Sequence, residues 1–182
     1  MPGLKKDHRA LRRRPLFTPV FLAGLASAVL LAVAASLVWY AGSVTVVMVR
    51  HAETAPGGED PPLSEAGRDR AQVLARMLAV SDIEAIYTSE ARRTRETAAP
   101  FAEQTGIEPV VRPAAEVEEL ARILLGQHQG ETVLVVGHSN TLPRLADALG
   151  EPIPEIDHAD HGNIVILRGG RLMPSSVIRL RF

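Results

Sequence analysis

The sequence predicts a three-layer α/β domain, with helices on both faces of a mostly parallel central sheet, preceded by one transmembrane helix. Three observations predict it. The β-branched runs Val44–Val49 and Thr132–Val136 read as strands buried on both faces. Strand-like and helix-like segments alternate between and after them, as βαβ units require. No charged residue occurs between Arg14 and Arg50, and Phe17 to Tyr40 is a nearly continuous apolar run.

That run divides the chain into a basic head at 1–15, a transmembrane helix or signal anchor at 16–42 and a domain at 43–182. As a helix, 24 residues reach about 36 Å, enough for a bilayer core of about 30 Å. Trp39 and Tyr40 stand at one end, where amphipathic rings favour the membrane interface, and Pro19 lies near the other, where a helix tolerates it. Lys5, Lys6, Arg9, Arg12, Arg13 and Arg14 against the single acid Asp7 hold the head in the cytoplasm, which puts the domain on the far side of the membrane. The competing reading is a signal peptide cleaved at Ala32-Val33-Ala34. The run is longer than the usual apolar region of about 7–15 residues, which favours an uncleaved anchor. The near absence of a linker before Val44 argues the other way.

Within the domain, Val44–Val49 is the first strand, followed by a Gly/Pro-rich loop from Ala55 to Pro62. Ser64 caps a helix running to about Ala79, with Ala71, Leu74, Ala75 and Leu78 on one face. Ile83–Tyr87 is a short strand, Glu90 to about Glu103 a helix, and Pro109–Val111 a weak strand. A helix from Glu116 to Leu125 turns Val117, Leu120, Ala121 and Leu124 inward. Thr132–Val136 is the second strong strand. Leu142–Leu149 is a helix that Gly150 stops. Asn163–Leu167 and roughly Leu172–Leu180 are late strands, the last at an edge.

Composition narrows the chemistry. With 46% hydrophobic and 23% charged residues, the chain has a globular balance. It has no cysteine, so thiolate chemistry and cysteine zinc sites are excluded. The net charge of −1 combines the basic head with a body that is mildly acidic, which argues against nucleic-acid binding.

In open α/β sheets, ligands bind beyond the carboxyl ends of the strands. His51, in Arg50-His51-Ala52-Glu53-Thr54, and His138, in Gly137-His138-Ser139-Asn140-Thr141, both fall there. The segment Thr88-Ser89-Glu90-Ala91-Arg92-Arg93-Thr94 follows a third strand and opens a helix. Guanidinium groups make forked bonds to phosphate oxygens, and helix N-termini offer N–H groups and a favourable dipole. A neutral imidazole flanked by such cations resists protonation and is poised to attack phosphorus. Such a site needs no metal and no cofactor. His158 and His161, beside Asp157 and Asp160, read as an exposed polar loop rather than a metal patch.

These motifs resemble the histidine phosphatase superfamily, the phosphoglycerate mutase-like fold. Arg50-His51-Ala52 is similar to its Arg-His-Gly/Ala signature, and Leu63-Ser64-Glu65-Ala66-Gly67 to its Leu-Ser/Thr-x-x-Gly stretch. Thr88-Ser89, Arg93 and Thr97-Ala98 resemble its second-arginine helix, and Val135-Val136-Gly137-His138 its second-histidine strand. The order holds from about Val44 to Leu167. The resemblance implies that His51 becomes phosphorylated and that Arg50, Arg93 and His138 bind the phosphoryl group. Arg93 keeps the four-residue step to Thr97, which leaves Arg92 facing solvent.

No long aromatic insertion of the mutase type is present, so phosphatase rather than mutase activity is implied. Many members use a Glu after the second arginine as general acid. Glu116, Glu118 and Glu119 are candidates here, and Glu116 is chosen for its place at the helix start. Short members such as the bacterial phosphohistidine phosphatases lack an obvious acid there. The expected reaction is hydrolysis of a phosphomonoester, with a phosphoramidate as the alternative. The expected partner is a phosphorylated small molecule or an envelope-presented phosphate, met outside the cytoplasm. Two rivals stand beside this. A serine hydrolase would use Ser139, whose surroundings nearly read Gly-x-Ser-x-Gly, in the chain order Ser139, Asp147 or Asp157, then His158 or His161. A membrane-tethered module would bind phospholigands without turnover.

Overall fold

The computed structural model describes residues 17–170 and 173–181. The basic head expected at 1–15 lies outside them. The chain divides into two compact units that meet between Val38 and Trp39.

The first unit holds most of helix α1 (Phe17–Ala41). Its apolar residues surround the axis, so it has no single buried stripe, and Val20, Phe21, Leu22, Leu30 and Leu31 are all exposed. Among the described residues no helix is long and apolar enough to cross a membrane. The expected transmembrane helix is therefore not shown.

The second unit is built from β1 (Val44–Arg50), α2 (Glu65–Leu78), β2 (Ile83–Thr88), α3 (Arg92–Thr105), β3 (Val110–Val111), α4 (Val117–Gln127), β4 (Thr132–Gly137), α5 (Thr141–Ala148), β5 (Asn163–Gly170) and β6 (Met173–Arg181). The sheet order is β3-β2-β4-β1-β5-β6. Side chains alternate across β1: Val44, Val46 and Met48 pack with Val117, Leu124, Leu142 and Leu145 of α4 and α5. Val47 and Val49 pack on the other face with Leu74, Leu78, Ala98 and Phe101 of α2 and α3. Burial on both faces is why Val44–Val49 carries no polar alternation.

The sheet is mixed, which corrects the expectation of a mostly parallel one. Strands β3, β2, β4 and β1 are parallel, but β5 runs antiparallel to β1 and β6 antiparallel to β5. For β6 the reason is connection length. Only two residues separate Gly170 from Met173, and a link that short joins antiparallel strands, whereas a parallel pair needs a crossover. Helix α3 also starts at Arg92 rather than Glu90, because Ser89–Ala91 forms a turn in which Ser89 Oγ accepts from the Ala91 amide at 3.3 Å.

Helix α2 begins as expected, with Ser64 Oγ accepting from the Gly67 amide at 3.0 Å. Gly67 lies against the loop after β1: a β-carbon there would stand 2.1 Å from Glu53 O. That obstacle is backbone, so it cannot rotate away. Gly67→Ala is expected to destabilise the protein by about 2–3 kcal/mol, read as a lower urea midpoint with an unchanged slope.

Candidate functional site

Parallel strands β2, β4 and β1 are neighbours, so their carboxyl ends open side by side. Arg50 pairs with Gly137 in register, and the His51 amide extends the ladder by donating to Gly137 O at 3.0 Å. This brings His51 and His138 together, with ring centroids 5.3 Å apart. Arg50, His51, Glu90, Arg93, His138, Ser139, Asn140, Arg144 and His158 line an open crevice of about 730 Å³. That volume suits a small ligand.

Each side chain is held by its own element. His51 is 7% exposed, and its Nδ1 lies 2.8 Å from Ala52 O. A carbonyl only accepts, so Nδ1 carries the proton and Nε2 keeps its lone pair. The Ala52 amide donates to Thr97 Oγ1 at 3.0 Å, and Thr97 Oγ1 donates to Arg93 O at 2.7 Å. Thr97 thus ties the residue after His51 to the turn of α3 that bears Arg93. His161 braces the other side, its Nδ1 donating to His51 O at 2.8 Å. His138 Nε2 is 2.9 Å from Ser89 Oγ, and its amide donates to Thr141 Oγ1 at 3.0 Å.

The arginines divide as their spacing suggests. Arg93 lines the crevice, with NH1 3.6 Å from Asp60 Oδ1. Arg92 points away and pairs with Glu96 at 2.5 Å. Asp60 also receives the Arg92 amide on both carboxylate oxygens, at 2.9 and 3.0 Å, so the 55–62 loop caps α3 where Ala91 has no side chain to do so. Arg50 NH1 donates to Asp157 O at 2.8 Å and more weakly to Asp160 O at 3.4 Å, while its Nε is buried without a hydrogen-bond partner.

Burial pushes the His51 imidazole down to about 4, helped by the positive charges of Arg50, His138 and Arg93 and opposed by the Ala52 carbonyl. Burial, then Arg93 and Arg50, also lowers His138, while Glu90 opposes. A histidine whose folded value lies below its unfolded one contributes stability above the unfolded value. That stability is lost as pH falls toward the folded value. For His51 the window runs from about 6.5 down to about 4, and the loss is about 2–3 kcal/mol. Urea midpoints measured across this range should fall less steeply in His51→Asn than in the wild type.

Glu116 is not brought into the crevice. It borders an adjoining, mostly apolar cavity with Tyr87, Thr88, Arg112, Val117 and Leu142. The carboxylate lining the crevice belongs to Glu90, whose Oε2 accepts from the Ala114 amide at 2.7 Å. The loop histidines also part company: His161 lies behind His51, whereas His158 lines the crevice with Nδ1 3.0 Å from Ser139 Oγ. Sequence reasoning missed Glu90, Arg144 and His158 as site residues. Glu90 had a signal, standing one residue after Ser89. Arg144 lies on the first turn of a helix that follows a site strand. His158 enters the sequence reading of the site only as a partner of Ser139 in the hydrolase alternative, and that contact is present.

Fold and site together define an α/β domain whose crevice brings paired histidines together with Arg50 and Arg93. Residues 46–116 match the family model of the histidine phosphatase superfamily (branch 1). Phosphoserine phosphatase 1 of Hydrogenobacter thermophilus is 38% identical over 74 residues, which cover 37% of this chain and 35% of that protein. The chain thus spans about a third of the length of the curated relatives it matches. Among solved structures, the protein histidine phosphatase SixA complexed with tungstate superposes with a TM-score of 0.63 at 19% identity, covering 75% of this chain and 96% of that one. Mycobacterial glucosyl-3-phosphoglycerate phosphatase superposes with a TM-score of 0.59 at 20% identity, covering 70% and 91%. At these identities the likeness shows the fold.

Proposed function

We propose that the protein is a phosphatase that hydrolyses phosphomonoesters through a phosphohistidine on His51. The observation that carries this is the tautomer: Nδ1 bonded to Ala52 O leaves Nε2 as a free nucleophile in a crevice shared with Arg50, Arg93 and His138. In the first step Nε2 attacks phosphorus in line and the ester oxygen departs. In the second, water attacks the phosphohistidine and phosphate leaves. Arg50, Arg93 and His138 hold the equatorial oxygens in both steps, and the buried, unpartnered Arg50 Nε has a donor to spare for such an oxygen. The route asks for no metal. Hydrolysis of p-nitrophenyl phosphate by the full-length protein, resistant to chelator and competed by vanadate, tests the reading. Vanadate binding with no turnover of any phosphomonoester would move it to the phospholigand-binding module.

Phosphoramidate hydrolysis is the second reading. It draws on Glu116 lying outside the crevice, since a P–N bond needs less acid assistance to break than an alkyl ester. Faster turnover of phosphohistidine than of any ester would favour it. The serine hydrolase reading gains the contact between Ser139 and His158, yet leaves Arg50, His51 and Arg93 without a role.

We also propose that α1 anchors the domain to a membrane, with the domain outside the cytoplasm. The support is the apolar run and the basic head that precedes it. Release of the protein from membranes by alkaline carbonate, or a C-terminal reporter active only in the cytoplasm, would overturn this.

A further inference from the structure

The phosphatase reading leaves one chemical task unassigned. An alkyl phosphate expels an alkoxide, which needs a proton as the P–O bond breaks. We infer that His158 is the catalytic acid for the leaving group and that Ser139 positions it.

Four observations carry this. His158 lines the same crevice as His51, Arg50, Arg93 and His138, but from a different element, the connection between α5 and β5. Its ring is oriented: Nδ1 is 3.0 Å from Ser139 Oγ, and Ser139 is only 7% exposed. With Nδ1 engaged by the Ser139 hydroxyl, Nε2 is the atom left for the substrate, and the imidazolium form carries there a proton that it can release as neutral imidazole. The loop is latched to the phosphate site, because Arg50 donates to the carbonyls of Asp157 and Asp160 on either side of His158. Finally, Ser139, Asn140, Arg144 and His158 also line a groove that continues from the crevice toward Pro143, Glu155 and Asp157. A substrate whose phosphate meets His51 can lay its remaining part along this groove, so His158 stands where the crevice passes into it.

The competing acids are placed less well. Glu116 borders the neighbouring cavity, and Glu90 has a carboxylate oxygen committed to the Ala114 amide. The proton balance closes on His158. In the first step the His51 Nε2–P bond forms, the P–O bond breaks, and the Nε2 proton of the His158 imidazolium passes to the departing alkoxide, leaving neutral imidazole. In the second, His158 takes a proton from the attacking water, the N–P bond breaks, and phosphate is released.

The inference rests on the phosphatase reading, and leaving-group dependence separates the two. Full-length wild type, His158→Gln, Ser139→Ala and Glu90→Gln are compared on p-nitrophenyl phosphate, whose nitrophenolate departs without a proton, and on 2-glycerophosphate, whose alkoxide cannot. Loss of the acid is expected to lower kcat on the alkyl ester about 100-fold and on the nitrophenyl ester about threefold. Ser139→Ala should show the same bias at about tenfold, and Ser139→Thr, which keeps the hydroxyl, should restore it. Equal losses on both esters in His158→Gln would overturn the assignment, as would the bias appearing in Glu90→Gln instead. A wild type that turns over only the nitrophenyl ester would overturn it too. A protein that hydrolyses neither ester would overturn the phosphatase reading beneath it.

Discussion

Replacing His51 by alanine is expected to lower kcat for p-nitrophenyl phosphate by about 10⁴-fold or more, because the other imidazoles serve other tasks, His158 standing where the crevice passes into the neighbouring groove. His138 Nε2, the nitrogen that would have to attack, is engaged with Ser89 Oγ. His161 donates to the backbone of His51 from behind and does not line the crevice. The fold should survive the change. Strand β1 keeps its pairing to β4 and β5, and the lost side-chain bond runs only to the adjacent Ala52. An unchanged far-UV spectrum beside the lost turnover separates a missing nucleophile from a missing fold. In the wild type, kcat/KM should fall with pH only as His51 takes up a proton near its depressed value of about 4.

Arg50→Ala is expected to lower kcat/KM by about 10³-fold, the upper range for one lost oxyanion donor. The loss should be shared between KM and kcat, because Arg50 has two tasks. It lines the crevice beside His51, where the proposed reaction places the phosphate, and it holds the 157–160 loop through the carbonyls of Asp157 and Asp160. Arg50→Lys should recover little, since an ammonium cannot reproduce a fork of planar donors. Removing the arginine also removes one of the charges that depress His51. The acid limb of the pH profile should therefore move toward neutrality. Steady-state kinetics from pH 4 to 8 reads both effects.

The parts of this molecule that were legible in sequence are those set by local chemistry. A run such as Val44–Val49 can only be a strand with two buried faces, and the flanking helices announce themselves by apolar spacing. The step from Arg93 to Thr97 places both on one face of α3, and the structure gives that face its reason, since Thr97 secures the Ala52 amide beside His51. Gly67 is explained in the same way, by the Glu53 carbonyl it must clear. What was not legible depends on distant segments. Alternation along β5 and β6 says nothing of direction, and the short link between them decides only that β6 reverses β5. Glu116 lies at a helix start near the rim, but helix phase alone cannot say which of two adjoining cavities it borders. His158 is brought to His51 by the folding of a loop more than 100 residues away, and its partner Ser139 drew notice only for a reaction of its own.

The central claim is a covalent phosphate on His51, and the direct measurement is to trap it. The full-length protein is mixed with labelled substrate, quenched within one turnover in alkali, and mapped by mass spectrometry. The account predicts phosphate on His51 that survives alkali, is released by acid, and is absent from His51→Ala. Phosphate carried by another residue, or turnover that continues in His51→Ala, would contradict it.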